Sequence, residues 1–213
     1  MKFTAIATIF AALVAGTTAV ATPLAYEATE VPSWEIEVFP NETMILNGTI
    51  EEVRAQALAI NPNWVDEGEE AAHEEFKRAL GFGSDVEKRD GLLAKRLAKD
   101  FKADHIACQT PWKDVEYMEA MRRNVYLMGH KGAPKLGAGP GKCSRVSCAY
   151  DVGITWCNDN KKSITLKKWS QVADGAAAIM DKCEHQKFAA ESRVGGQAFH
   201  VDNWNVIIRK EDC

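Results

Sequence analysis

The first 107 residues of this 213-residue chain contain no cysteine, so no disulfide can tie the N-terminal half to itself or to the rest. No C-x-x-C pair and no H-x-x-x-H spacing occurs, which removes the usual zinc frameworks. The order G-x-x-x-x-G-K-[ST] is missing and excludes a phosphate loop. G-x-S-x-G is also missing, which leaves a serine nucleophile without its usual turn. No apolar run after residue 21 reaches membrane-spanning length. Nothing in the sequence asks for a cofactor or a metal.

What is present begins with a secretory signal. Lys2 supplies a positive start, Ala5 to Val14 is apolar, and Ala19-Val20-Ala21 is a small-residue cleavage site. Residues 1–21 are therefore read as a signal peptide and the product as secreted and extracellular. The remainder divides by charge. Residues 22–96 carry 7 Lys+Arg against 16 Asp+Glu, a net of -9, whereas 97–213 carry 18 against 14, a net of +4. Such asymmetry predicts two pieces with different roles.

The acidic piece, 22–96, reads as a weakly structured pro-region. Ser33 to Phe39 alternates as a half-exposed strand does. Asn41-Glu42-Thr43 and Asn47-Gly48-Thr49 are N-glycosylation sequons. Thr49-Ile50-Glu51-Glu52 has the spacing of a helix capping box, and Pro62 ends the helix that follows. Basic pairs Lys77-Arg78, Lys88-Arg89 and Lys95-Arg96 then cluster before the cysteine-bearing piece. Lys88, Arg89, Lys95 and Arg96 are read as sites for a processing protease of the secretory pathway.

The mature piece, 97–213, holds all six cysteines: Cys108, Cys143, Cys148, Cys157, Cys183 and Cys213. An even number in a short secreted segment predicts three disulfides, and six cysteines allow fifteen pairings. Periodicity predicts helices over Pro111–Met128 and Thr165–Glu184, with hairpins at Ser144–Asn158 and Gly195–Lys210. The expected fold class is α+β, with two helices on a four- to five-stranded antiparallel sheet.

Several features carry candidate chemistry. His200, Arg209 and Glu119 (with Glu116 beside it) are the set a small secreted hydrolase such as a ribonuclease would need around a phosphate. The predicted hairpin does not oblige His200 and Arg209 to share a face, so a non-enzymatic reading is preferred. Lys161, Lys162, Lys167 and Lys168 form a basic cluster suited to anionic partners, although no aromatic ladder accompanies them and nucleic acid is disfavoured. Trp204, flanked by Asp202, Asn203 and Asn205, is read as an exposed binding tryptophan. Asn158, Asp159 and Asn160 read as a polar turn rather than a calcium loop.

Some residue strings carry a resemblance. Arg145-Val146-Ser147-Cys148-Ala149-Tyr150, Trp156-Cys157-Asn158-Asp159-Asn160, Ala173-Asp174-Gly175-Ala176 and the ending Val194 to Cys213 resemble a group of small secreted cysteine-rich proteins of filamentous fungi. More distantly, the order of elements and cysteines is similar to KP4-like killer toxins and Ecp2-type effectors. The Asn-Cys-Arg-Gly start of the killer toxins is lacking, so no channel-blocking residue is carried over. The resemblance implies a secreted effector- or toxin-like protein acting on a host or competitor protein, glycan or membrane.

Overall fold

A computed structural model of the chain describes residues 26–66, 68–70, 99–108, 111–185 and 192–213. The chain opens with β1 (Ala28–Glu30) and a hairpin of β2 (Ser33–Phe39) and β3 (Glu42–Asn47). In β2, Trp34, Ile36 and Val38 point into the core while Glu35 and Glu37 face solvent, the alternation of a half-buried strand. Helix α1 (Ile50–Ile60) starts at the predicted capping box. Glu52 N–H donates to Thr49 Oγ1 at 3.4 Å, and Thr49 N–H donates to Glu52 Oε2 at 2.7 Å. Asn61 caps its C-terminus just before Pro62.

A 3-10 turn (Ala103–His105) leads into β4 (Ile106–Cys108). Then come β5 (Val115–Glu116), α2 (Tyr117–Gly129), β6 (Lys135–Leu136), β7 (Lys142–Ala149) and β8 (Val152–Asn158). The chain closes with β9 (Ile164–Thr165), α3 (Ser170–Cys183), β10 (Arg193–Val194), β11 (Gly196–Phe199) and β12 (Trp204–Lys210).

The α+β class is observed, with a larger sheet than predicted. Six strands run in the order β1-β7-β8-β12-β11-β4. β1 is parallel to β7 and every other neighbour is antiparallel, so the sheet is mixed. The additional edge strand comes from the acidic piece. The expectation of a weakly structured pro-region is thereby corrected for residues 26–66, which supply a sheet strand, a hairpin and a capped helix.

Element boundaries shift where short pairings compete with helix. Pro111 does not begin α2, because Val115 and Glu116 pair with Val194 and Arg193. Helix α3 begins at Ser170 rather than Thr165, because Ile164 and Thr165 pair with Leu136 and Lys135. The β7–β8 turn is Tyr150-Asp151, with φ of 51° and 62°. Positive φ at both positions matches the strand twist, and Val152 and Gly153 pair with Ala149 and Cys148 as the start of β8.

Helix α3 lies directly on β12: a Cβ on Gly175 would come within 2.5 Å of Val206 Cγ2. On that face Ile154, Trp156, Trp204, Val206 and Ile208 form one core with both long helices and with Trp34, Ile36, Val38, Ile50 and Val53. On the opposite face Cys143, Cys157 and Ile207 are covered by Tyr26 and Trp112. Cys108–Cys183, Cys143–Cys157 and Cys148–Cys213 are the disulfides, and no cysteine is free. Three bridges in a small domain are compatible with an oxidising, extracellular location. Among the described residues no helix is long and apolar enough to cross a membrane.

Candidate functional site

The loop that carries the lysine cluster is pinned from below by Asn158, which is fully buried. Its amide donates to Gly137 O at 2.7 Å and Lys162 O at 2.8 Å, and its Oδ1 accepts from Asn160 N–H at 2.9 Å. Asn160 in turn donates to the carbonyls of Asp202 and Asn203, both at 2.9 Å. Asp159 accepts from Gly141 N–H at 3.2 Å and from Asn205 at 2.6 Å. Polar residues were expected here, and their role is to hold backbone: these oxygens are already engaged by N–H groups.

On this brace Lys161, Lys162, Lys167 and Lys168 are all exposed. Lys135, opposite Thr165 in the β6–β9 pair, joins the same edge. Leu166 N–H donates to Pro134 O at 2.9 Å, and Lys167 N–H donates to Gln171 Oε1 at 2.7 Å, which fixes the end of the ridge against α3. No carboxylate of the described residues forms an ion pair with these five lysines. Between them lie Ser163 and Thr165, both exposed, and no exposed aromatic.

Trp204 is not exposed. It is 2% accessible and stands edge-on to Trp156 and Phe101, with the His200 ring stacked on it at 4.2 Å. The polar neighbours that suggested exposure belong to the turn and to the other face of β12. His200 accepts from Asp202 N–H at Nδ1, at 3.0 Å, and burial pushes its pKa down although Asp202 and Asp100 pull the other way. A neutral ring fits that accepting role.

His200, Arg209 and Glu119 do not converge. His200 bonds to Trp204 at one end of β12, and Arg209 lies five residues along, roughly 16 Å away at strand rise. Arg209 pairs with Glu211 and lies over Trp112, while Glu119 on α2 pairs with Arg122. Among the glycosylation candidates, Asn41 is exposed at the β2–β3 turn (φ 64°). Asn47 is exposed too, but its sequon threonine, Thr49, is buried as the α1 cap. Residues 1–21 and the pairs Lys88-Arg89 and Lys95-Arg96 lie outside the described residues.

Two clusters join residues that no sequence spacing connects. In the first, Tyr126 O–H donates to the buried Asp66. His130 Nδ1–H donates to Tyr126 O at 2.8 Å, and its Nε2 faces Asp66 Oδ1 at 3.5 Å. Arg54 lies 3.7 Å from the same carboxylate. In the second, Asp114 pairs with His185 at 2.8 Å and Arg193 at 3.0 Å. His130 and His185 were visible as histidines, but the carboxylates they face, Asp66 and Asp114, lie more than 60 residues away in sequence, beyond any local signal.

Burial pushes the Asp66 carboxyl up, yet His130, Tyr126 and the Glu69 N–H outweigh it and hold the group below the usual carboxylate range. A carboxyl lowered by folding stabilises the fold above its unfolded pKa, and that contribution disappears as pH falls through the folded value. Asp66→Asn is therefore expected to cost about 2 kcal/mol at neutral pH. The penalty should shrink below about pH 4, which urea midpoints measured at pH 7 and pH 3 will show. An equal penalty at both pH values would refute the assignment.

No known protein family, no curated protein and no solved structure matches the chain.

Proposed function

We propose that this chain is a secreted, non-enzymatic, effector- or toxin-like protein whose lysine ridge binds an acidic polysaccharide on a host or competitor cell. The observation that carries this reading is the ridge itself: Lys135, Lys161, Lys162, Lys167 and Lys168 exposed on one braced edge, without ion-pair partners among the described residues. Unpaired charges on a stiff support attract a polyanion without first breaking internal pairs. Ser163 and Thr165 add hydroxyls suited to sugar oxygens. Membrane insertion also needs apolar surface at the contact, and the ridge presents no exposed aromatic to provide it. The resemblance to secreted cysteine-rich fungal proteins and the three disulfides support the effector class.

Immobilised heparin serves as the probe polysaccharide, with phosphatidylserine vesicles as the comparison. The native protein should bind heparin with an affinity that falls steeply with salt. Reversing Lys161, Lys162, Lys167 and Lys168 to Glu should weaken it by about 100-fold or more while leaving the unfolding midpoint nearly unchanged. Unchanged heparin binding by the reversed variant, or binding to the vesicles alone, would sink the proposal.

A further inference from the structure

The acidic piece is seated in the fold as a partner, and its contacts fall into three sets. The first is backbone: β1 adds to the edge of β7, with Ala28 opposite Cys143 and Glu30 opposite Ser144. The second is apolar. Trp34 stacks on Trp169 with ring centres 3.7 Å apart, and Ile36, Val38, Leu46, Ile50, Val53 and Ala57 are buried in the core that α2, α3 and the sheet share. The third is electrostatic, and it uses the charge split read from the sequence. Glu30 accepts from Gly137 N–H at 2.9 Å and lies 3.4 Å from Lys142. Glu51 accepts from Ser147 O–H and from Cys148 N–H at 3.0 Å, and lies 3.6 Å from Arg123. Asp66 accepts from Tyr126.

All three disulfides lie between residues 108 and 213, so nothing covalent crosses from the acidic piece except the main chain. The basic pairs fall on that one connection, between residues 66 and 99.

We infer that a cut at Lys88-Arg89 or Lys95-Arg96 yields a two-chain protein in which residues 26–66 remain in place as a second, non-covalently held chain. Processing then opens the polypeptide without removing its N-terminal elements. The partner that the body recognises is an acidic hairpin-and-helix segment of its own chain. A strand in the sheet, a buried tryptophan stack and three carboxylates on distinct parts of the body hold it, so loss of any single contact leaves the others in register. This inference is independent of the lysine ridge, which the acidic piece does not contribute to.

The test replaces Lys88-Arg89 in the full chain with a site for a sequence-specific protease that occurs nowhere else in it. Cutting then does not depend on the native protease, and the readout needs no polysaccharide. After complete cutting, the protein should elute from a sizing column at the volume of the uncut chain, at about 1 µM. A denaturing gel run without reductant should resolve two pieces. In the cut protein, Glu30→Ala with Glu51→Ala should raise the dissociation constant by about 10-fold or more, while the same pair of changes leaves the uncut chain folded. Separation of the two pieces in the native cut protein, whether the larger one stays soluble or precipitates, would overturn the inference, as would unaltered affinity in the double variant.

Discussion

Trp34→Ala is expected to cost about 4 kcal/mol, the scale for emptying a large aromatic site in a packed core. Trp34 is 1% exposed. One side of its ring lies on Trp169 at 3.7 Å and 16° between planes, and His130 meets it edge-on at 5.8 Å. Its Nε1–H donates to Gly48 O at 2.9 Å, beside the start of α1. The substitution therefore leaves a cavity on the core face of α3 and a carbonyl without its donor at the α1 entry. Neighbouring side chains on three elements would have to move together to fill the gap, which is why little relaxation is expected. Equilibrium urea unfolding followed by tryptophan fluorescence checks the value. A loss under about 1 kcal/mol would mean that the N-terminal hairpin contributes little to the common core.

Replacing Cys108 and Cys183 together by serine is expected to cost about 4 kcal/mol, more than replacing Cys143 and Cys157 together, at about 3 kcal/mol. The reason lies in chain entropy. Cys108–Cys183 closes a loop of sequence separation 75, whereas Cys143–Cys157 closes one of 14 within the β7–β8 hairpin. The longer loop constrains more of the unfolded ensemble. It also ties the end of α3 to the edge strand β4, which is three residues long and, among the described residues, pairs with β11 alone. Thermal and urea midpoints of the two double variants, measured side by side, test the ranking. A reversed order would show that local hairpin geometry matters more here than loop length.

Local chemistry was legible in the sequence. The capping box at Thr49 and Glu52 was readable because both partners lie within one turn. The alternation of Ser33 to Phe39 was readable because one face of β2 is wet and the other dry. β12 offered no such contrast: Trp204, Asn205, Val206, Ile207 and Ile208 are all buried, so polarity did not report exposure. Asn205 is buried because Gln197 and Asp159 satisfy its amide, a pairing between strands and loops that no spacing rule anticipates. The cluster of Asp66, Tyr126 and His130 was hidden for the same reason.

The charge split was visible, but not how the fold uses it. Opposite net charges on two segments suggested pieces with different roles. In the folded chain, Glu30, Glu51 and Asp66 face Lys142, Arg123 and His130, so the same asymmetry draws the segments together. Charge composition reports attraction, and only the register of β1 on β7 reveals where that attraction is used.

The parallel strand β1 has one more consequence, for self-association. β7 is eight residues long, and on the side away from β8 β1 pairs with it at Cys143 and Ser144 among the described residues. An uncovered strand of that length presents a row of amide and carbonyl groups on which a second molecule can build, the first step toward fibrillar stacking. Among the described residues β1 and β4, of three residues each, are the outermost strands, and β1 occupies the first part of the β7 row. The N-terminal segment thus shortens the open edge on which a second copy could add.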